Sequence, residues 1–172
     1  MRLMVIALLL LPVLAVHAYD GESNAVMFNV AATILGIPTI TYERELNDDM
    51  SLAFSIALVN VKSPDSDSEE ELKFNEFHAS WRYYFSKKTK AIHGNFFYAL
   101  AGGGSGEWTD EDGTTHDVSG SILGFGVGYK GIWESQFVQE ISVGLNIVGI
   151  SEDDVEYAGA GVGMAWSLGF TF

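Results

Sequence analysis

Cysteine is absent from this chain of 172 residues, proline occurs three times, and lysine and arginine together number only nine. Without cysteine, an exported chain has no disulfide framework to stabilise its fold. The nine basic residues stand against 23 acidic ones, which gives a formal net charge of −14 at pH 7. Nucleic acids and anionic lipid headgroups attract lysine and arginine, so this charge argues against both as simple electrostatic partners.

Long apolar runs are also missing, apart from one at the start of the chain. Arg2 precedes an apolar run over residues 3–16, and residues 16–18 form a cleavage site. This pattern predicts a secretory signal peptide over 1–18 and a single mature domain over 19–172. A membrane anchor is the alternative, but the run is too short to span a bilayer. No cysteine follows the run, so lipoprotein attachment is not expected.

The clearest pattern that the chain does contain is the alternation over its last fifteen positions, 158–172. Every second residue is apolar, and the residues between are small or polar. Alternation with a period of two over this length predicts a β-strand with two different faces. The apolar face ends on Trp166, Leu168, Phe170 and Phe172. Soluble proteins rarely expose such an ending, whereas it is typical of a strand that faces lipid.

Seven earlier segments have similar strand character, and their lengths suit tilted strands that cross hydrocarbon. The eight predicted strands are residues 25–34, 39–46, 51–61, 74–85, 95–106, 118–129, 137–149 and 157–172. A soluble barrel of the lipocalin kind also alternates, with its faces inverted. Its polar face would carry Lys and Glu, but here that face is rich in Gly, Ala and Ser. The sequence therefore predicts an all-β fold, an eight-stranded antiparallel up-and-down transmembrane β-barrel.

The connections between the predicted strands differ in charge. Those at 63–72, 107–117 and 151–156 hold most of the acidic residues and no lysine or arginine. They are odd-numbered connections, so they share one end of an up-and-down barrel, which is extracellular if both termini are periplasmic. Their carboxylates suit Ca²⁺ or Mg²⁺ bridging to lipopolysaccharide phosphates, but solvated loops explain the same composition. No metal site and no cofactor is predicted.

Aromatic residues collect near the predicted strand ends, as expected of girdles at two membrane interfaces. The predicted periplasmic girdle consists of Tyr42, Tyr83, Phe85, Phe96, Tyr98, Tyr129, Trp133, Phe137, Phe170 and Phe172. The predicted outer girdle consists of Phe74, Phe77, Trp108 and Tyr157.

Charged residues are also predicted inside the barrel. Arg82 shares the inward parity of the fourth strand, and it is expected to pair with Glu43 or Glu140 at the same height. An unpaired charge in so narrow an interior would be costly, whereas a hydrogen-bonded pair is tolerable. Together with His78, these residues form the predicted polar network of the lumen. The alternative for Arg82 is a solvated surface charge.

Glu76, His78 and Ser80 lie on one strand face, where they could form a relay of carboxylate, base and nucleophile. Outer-membrane lipid A deacylases use a His-x-Ser pair on a small barrel, and this pair resembles theirs. Trp81, which follows Ser80, departs from the pattern of those enzymes, and the pair faces the lumen instead of the lipid substrate. Polar residues at this spacing are also ordinary in a barrel lumen. The protein is therefore not expected to be an enzyme.

The ending, the signal peptide and the hairpin segments at 39–44 and 50–54 resemble small barrels of the bacterial outer membrane, the OmpA/OmpX/OmpW-like group. The resemblance implies a monomer in the outer membrane of a Gram-negative cell, surrounded by lipid and lipopolysaccharide. It also implies that the barrel-assembly machinery reads the aromatic ending. The expected role is structural or surface-interacting, with a closed lumen. The alternatives are a narrow channel for small solutes and a lipid A-modifying enzyme that uses His78 and Ser80.

Overall fold

Eight antiparallel strands form a closed barrel in the computed structural model, which describes residues 23–62, 70–85, 92–133, 136–152 and 155–172. The elements in chain order are β1 (Asn24–Asn29), α1 (Val30–Ile34), β2 (Thr39–Asn47), β3 (Met50–Lys62), β4 (Glu71–Tyr84), β5 (Gly94–Thr109), β6 (Thr115–Ile132), β7 (Phe137–Glu152) and β8 (Val155–Thr171). Each strand pairs with its neighbour in sequence, and β1 also pairs with β8. The predicted fold class is therefore confirmed.

The two ends of the barrel differ in their connections. We call the end with Asn24 and Phe172 the terminal end, and the opposite end the loop end. The backbones of Asn24 and Phe172 exchange two hydrogen bonds of 3.2 and 3.0 Å, which close the sheet at the terminal end. The odd-numbered connections lie at the loop end, where the acidic residues at 63–69 and 153–154 fall outside the described residues. The predicted signal peptide at 1–18 does so too.

The outward face of the barrel is apolar over most of its height. Leu123, Phe125, Val162 and Met164 are each at least 60% exposed although they lie within regular strands. Large apolar side chains exposed in this number form the surface that lipid covers in a transmembrane barrel. Among the residues described, no helix is long and apolar enough to cross a membrane.

The first predicted strand is wrong in its second half, because residues 30–34 form the helix α1. The Asn29 side chain caps this helix by accepting a 3.0 Å hydrogen bond from the Ala32 N–H. Gly36 ends it with a φ of 81°, and the N–H groups of Gly36 and Ile37 bond back to Thr33 and Ala32. This is a Schellman motif, which needs glycine at the left-handed position.

The inward face of β5 carries large aromatic rings that pack over glycines of neighbouring strands. A Cβ at Gly128 would lie 2.8 Å from Phe96 Cε1, and one at Gly126 would lie 2.7 Å from the Tyr98 hydroxyl. Phe96 and Tyr98 therefore point into the barrel, so their predicted place in the girdle is wrong. The outward aromatic residue at this height is Phe97, which is 51% exposed. Glycine is required opposite each ring because no other residue leaves room for it.

The outer girdle is also predicted incorrectly for three of its four residues. A Cβ at Gly120 would lie 3.2 Å from the Phe74 ring, so Phe74 fills the lumen. Trp108 and Tyr157 share the inward parity of their strands, and only Phe77 points outward, with 43% exposure. Girdle residues that are exposed near the terminal end are Phe85, Tyr129, Trp133, Phe170 and Phe172.

Candidate functional site

Four charged side chains from four different strands meet inside the barrel, near its terminal end. The Arg82 guanidinium on β4 donates through Nη1 to Glu43 on β2 at 2.6 Å and to Glu140 on β7 at 2.7 Å. Lys130 on β6 donates to Glu43 and lies 3.1 Å from the Glu140 carboxylate. Two cations thus bridge two carboxylates, and the cluster has no net charge. We call these four residues the charge cluster.

Glu43 is the centre of the charge cluster. Its side chain is fully buried, and it accepts hydrogen bonds from the Tyr84 hydroxyl at 2.7 Å and from Ser51 Oγ. Together with Arg82 and Lys130, these donors saturate the carboxylate oxygens. A buried charge is tolerated when it is both paired and hydrogen-bonded in this way.

An apolar layer lies directly against the charge cluster on its terminal side. It consists of Ala25, Ile92 and Phe96, none of which is exposed, together with the ring of Tyr84. The Arg82 guanidinium carbon lies 5.1 Å from the centre of the Phe96 ring, within the range of a cation–π contact. The layer removes water from the cluster, which strengthens each ion pair and makes the loss of one partner more costly.

The sequence prediction brought Arg82, Glu43 and Glu140 together but missed Lys130. The sixth strand was predicted to end at residue 129, which left Lys130 in a turn, whereas β6 extends to Ile132. Lys130 is fully buried and continues the inward parity of Gly124, Gly126 and Gly128. That parity, followed for one more residue, is the signal that could have identified it.

His78 is not part of the charge cluster, although it was predicted to share its polar network. Its Nδ1 atom lies 3.1 Å from Glu76 Oε1, and both residues face the lumen nearer the loop end. Ser80 Oγ is buried and makes no hydrogen bond within the part of the chain that the structure describes. The structure therefore brings Glu76 to His78 but does not join the Ser80 hydroxyl to the imidazole.

A second polar group lies at the loop end, where the connection between β5 and β6 meets β7. His116 Nε2 lies 3.3 Å from Asp110 Oδ2, and the Trp108 ring stacks on the imidazole at 5.5 Å. Asp110 also accepts hydrogen bonds from the N–H groups of Thr114 and Asp112. The bond from Thr114, followed by the contact with His116, holds the pKa of Asp110 below its usual range. Among the described residues, no cluster of three or more His, Asp or Glu side chains could hold a metal ion.

The residues of the predicted assembly signal lie along the outward face of β8. Trp166, Phe170 and Phe172 are between 40 and 62% exposed, and Leu168 is half-buried beside them. Phe172 also closes the barrel through its backbone bonds to Asn24, so the last residue combines an exposed ring with a structural contact.

Comparison with known proteins places this architecture in a family. A family model described as "Protein of unknown function (DUF3575)" matches residues 4–165. The chain belongs to the DUF3575 family. None of the curated proteins searched matches this DUF3575 member. The crystal structure of Ail, the attachment invasion locus protein of Yersinia pestis, is similar with a TM-score of 0.55 and 15% sequence identity.

The match to Ail covers 88% of the DUF3575 chain and 100% of Ail. It therefore includes the complete Ail chain, and it supports the eight-stranded transmembrane barrel as the fold. At this level of identity the similarity concerns the fold alone, so the function must be argued from the side chains of the DUF3575 member itself.

Proposed function

We propose that this DUF3575 member is a non-enzymatic, monomeric β-barrel of the bacterial outer membrane, with a closed lumen and an acidic loop end that interacts with other surfaces. The proposal includes export through residues 1–18 and kinship with the OmpA/OmpX/OmpW-like group, supported by strand number, strand order and the closing contact at Phe172. Outer-membrane lipid and lipopolysaccharide would contact the outward face, and the barrel-assembly machinery would read the ending from Trp166 to Phe172.

The main support for a closed lumen is the position of the charge cluster across the interior of the barrel. Its four side chains come from β2, β4, β6 and β7, so they reach across the interior instead of lining one side of it. The apolar layer of Ala25, Ile92 and Phe96 lies beneath them. An eight-stranded barrel has an interior that side chains can fill, and here charged and aromatic groups occupy it. This supports a barrier to ions over a channel for small solutes.

Conductance measurements test the closed lumen. The purified protein inserted in a planar bilayer is expected to show no steady conductance above the bilayer background, because side chains of the charge cluster and the apolar layer reach across the interior and would block a water path. The variant Phe96→Ala should admit more ions than Phe97→Ala, since only the first ring lies inside the barrel. A steady, voltage-independent current through the unaltered protein would contradict the proposal and favour the channel.

The acidic residues of the loop end support an interaction with a cationic surface. Asp110, Glu111 and Asp112 form an exposed or half-exposed turn, and Asp117 follows on β6. Exposed charges attract opposite charges over about one Debye length, which is roughly 10 Å at 0.1 M salt. Such an interaction should therefore weaken as the salt concentration rises.

Binding of a fluorescent oligolysine peptide to the protein in neutral nanodiscs tests this surface. A variant that neutralises all four side chains should weaken binding about fivefold, namely Asp110→Asn/Glu111→Gln/Asp112→Asn/Asp117→Asn. Each exposed charge pair contributes a few tenths of a kcal/mol, so four of them contribute about 1 kcal/mol. The amide oxygen of Asn can still accept the bonds that Asp110 accepts, so the turn should persist. Asp48→Asn/Asp49→Asn, at the terminal end, is the control; it removes two charges instead of four and should leave binding nearly unchanged. An equal loss in both variants would argue against a specific acidic surface.

The geometry gives less support to a lipid A-modifying enzyme. Such a mechanism needs the Ser80 hydroxyl within hydrogen-bond reach of the His78 imidazole. The imidazole bonds to Glu76 through Nδ1, as a relay would require, but the Ser80 hydroxyl makes no hydrogen bond to it or to any other described residue. We therefore propose that His78 and Glu76 are a polar pair of the lumen.

A further inference from the structure

The barrel wall is incomplete in its loop half between β8 and β3. β8 has 17 residues and β1 only six, so in the described part of the chain β1 pairs with β8 no further than Asn29 and Ser167. Beyond that point α1 packs against β8, and the turn that follows it approaches β3, since a Cβ at Gly36 would lie 3.8 Å from the Asn60 carbonyl oxygen. One short helix and a turn thus replace two strands of wall.

Many side chains that face the lumen behind this part of the wall are apolar, and the polar ones among them include Glu76, His78 and Asn146. Residues with inward parity in the loop half include Val59, Phe74, Leu100, Ile122, Val148 and Tyr157. Lumens of transmembrane barrels are usually polar. The apolar lining therefore extends from the charge cluster, on the terminal side, to the loop end of the barrel.

Open space lies directly in front of β8 in this region. A Cβ placed on Gly159 or Gly161 would meet no atom of the described residues within 4 Å, whereas one on Gly163 would contact the Asn146 side chain. Ile150 and Tyr157 share the inward parity here and are 45 and 58% exposed. Apolar side chains thus border a space that the described part of the chain does not fill.

The wall segment α1 offers an apolar path between this space and the bilayer. Ile34 and Leu35, at its end, are 77 and 72% exposed. The Asn29 side chain accepts from the Ala32 N–H, and the Schellman motif occupies the carbonyl oxygens of Ala32 and Thr33, which reduces the number of backbone groups left unpaired toward lipid. In contrast, the loop end carries acidic groups, so the aqueous entrance disfavours anionic amphiphiles.

We propose that the loop half of the lumen is a binding site for an uncharged alkyl chain, which enters from the bilayer past α1. Three observations support this assignment: the apolar lining, the open space at Gly159 and Gly161, and the missing strand wall. Glu76 is paired with His78 and Asp110 with His116, so the ligand does not need a charged headgroup inside the lumen. The buried Asn146 Oδ1 beside Gly163 has no hydrogen-bond partner among the described residues, and an uncharged hydroxyl can donate to it. The site goes beyond the proposed surface role and does not depend on it.

Photolabelling in phosphatidylcholine vesicles tests the site, with a long-chain alkanol that carries a terminal diazirine as the probe. We expect adducts on inward residues, such as Val148, Ile150 and Tyr157. Gly161→Phe should reduce these adducts about tenfold or more, because its ring displaces several methylene groups of the probe. Ala160→Phe, which places the same ring on the outward face, should leave them unchanged.

A second variant and two labelling outcomes decide the result if Gly161→Phe does not assemble. Gly161→Leu fills less of the space and should give an intermediate reduction, which covers the case in which the phenylalanine variant does not assemble. Labelling confined to outward residues such as Val162 and Met164 would overturn the proposal. Inward labelling that Gly161→Phe leaves at its full level, in a folded barrel, would overturn it as well.

Discussion

Replacing Glu43 with glutamine is expected to destabilise the barrel by about 3–5 kcal/mol, the range seen when one partner of a buried ion pair is removed. Glutamine keeps the shape and can still accept the bonds from Tyr84 and Ser51. It leaves Arg82 and Lys130 with a single carboxylate, Glu140, and so creates a net positive charge in a buried site. Urea unfolding in lipid vesicles, followed by the mobility of the unheated protein on a gel, measures the loss.

Two variants show whether the effect comes from charge balance. Glu43→Gln/Lys130→Met removes one charge of each sign and leaves the 2.7 Å bond between Arg82 and Glu140, so it should recover much of the lost stability. Glu76→Gln alters a half-exposed lumen carboxylate and should cost less than about 1 kcal/mol. The charge-balance account fails if the double variant is less stable than Glu43→Gln alone.

Replacing Gly169 with alanine is expected to weaken the joint between β1 and β8 by about 3 kcal/mol, at the upper end of overpacking penalties. A Cβ at this position would overlap the Val26 carbonyl oxygen and lie 2.7 Å from Met27 Cα. These are backbone atoms of β1, so no side-chain rotation relieves the contact. Among the described residues, β1 pairs with β8 over Ala25–Asn29 and through the backbone bonds between Asn24 and Phe172, so a displaced β1 threatens closure of this short joint. Unpaired backbone groups are costly in lipid.

Gly161→Ala is the matched control for Gly169→Ala, because it lies on the same strand and the same face. A Cβ there meets nothing within 4 Å in the described part of the chain, so the unfolding midpoint of this variant should equal that of the unaltered protein. The same urea titration, together with the yield of folded barrel in vesicles, compares the two variants. Equal midpoints for both would show that β1 can move away from β8 without cost.

The sequence predicted the strands well because alternation is a local property. In β8, the outward residues Val162, Met164, Trp166 and Phe170 are exposed, as their parity predicts. The prediction was wrong at residues 30–34. The cap at Asn29 and the glycine at position 36 favour a helix there over a continuation of the strand β1. Both signals are present in the sequence, but the apolar composition around them was interpreted as strand.

Aromatic residues were harder to place than aliphatic ones. Phe96 and Phe97 are adjacent, so composition does not indicate which of them faces inward. The register decides it, because Phe96 lies opposite Gly128 and its ring needs the space that glycine leaves. A position near a strand end therefore does not by itself predict a girdle residue.

The sequence alone determined the class of the protein: period-two alternation specifies two-faced strands, and eight of them with an aromatic ending specify a transmembrane barrel. Only the tertiary structure decided which inward side chains share a height, since that depends on pairing between strands far apart in sequence. Lys130 reaches Glu43 across 87 positions, and Arg82 reaches Glu140 across 58. The incomplete wall at α1 also depends on long-range pairing, because it arises where β1 is too short to cover β8, at the opposite end of the chain. Local patterns set the faces of strands, and the register sets what those faces bring together.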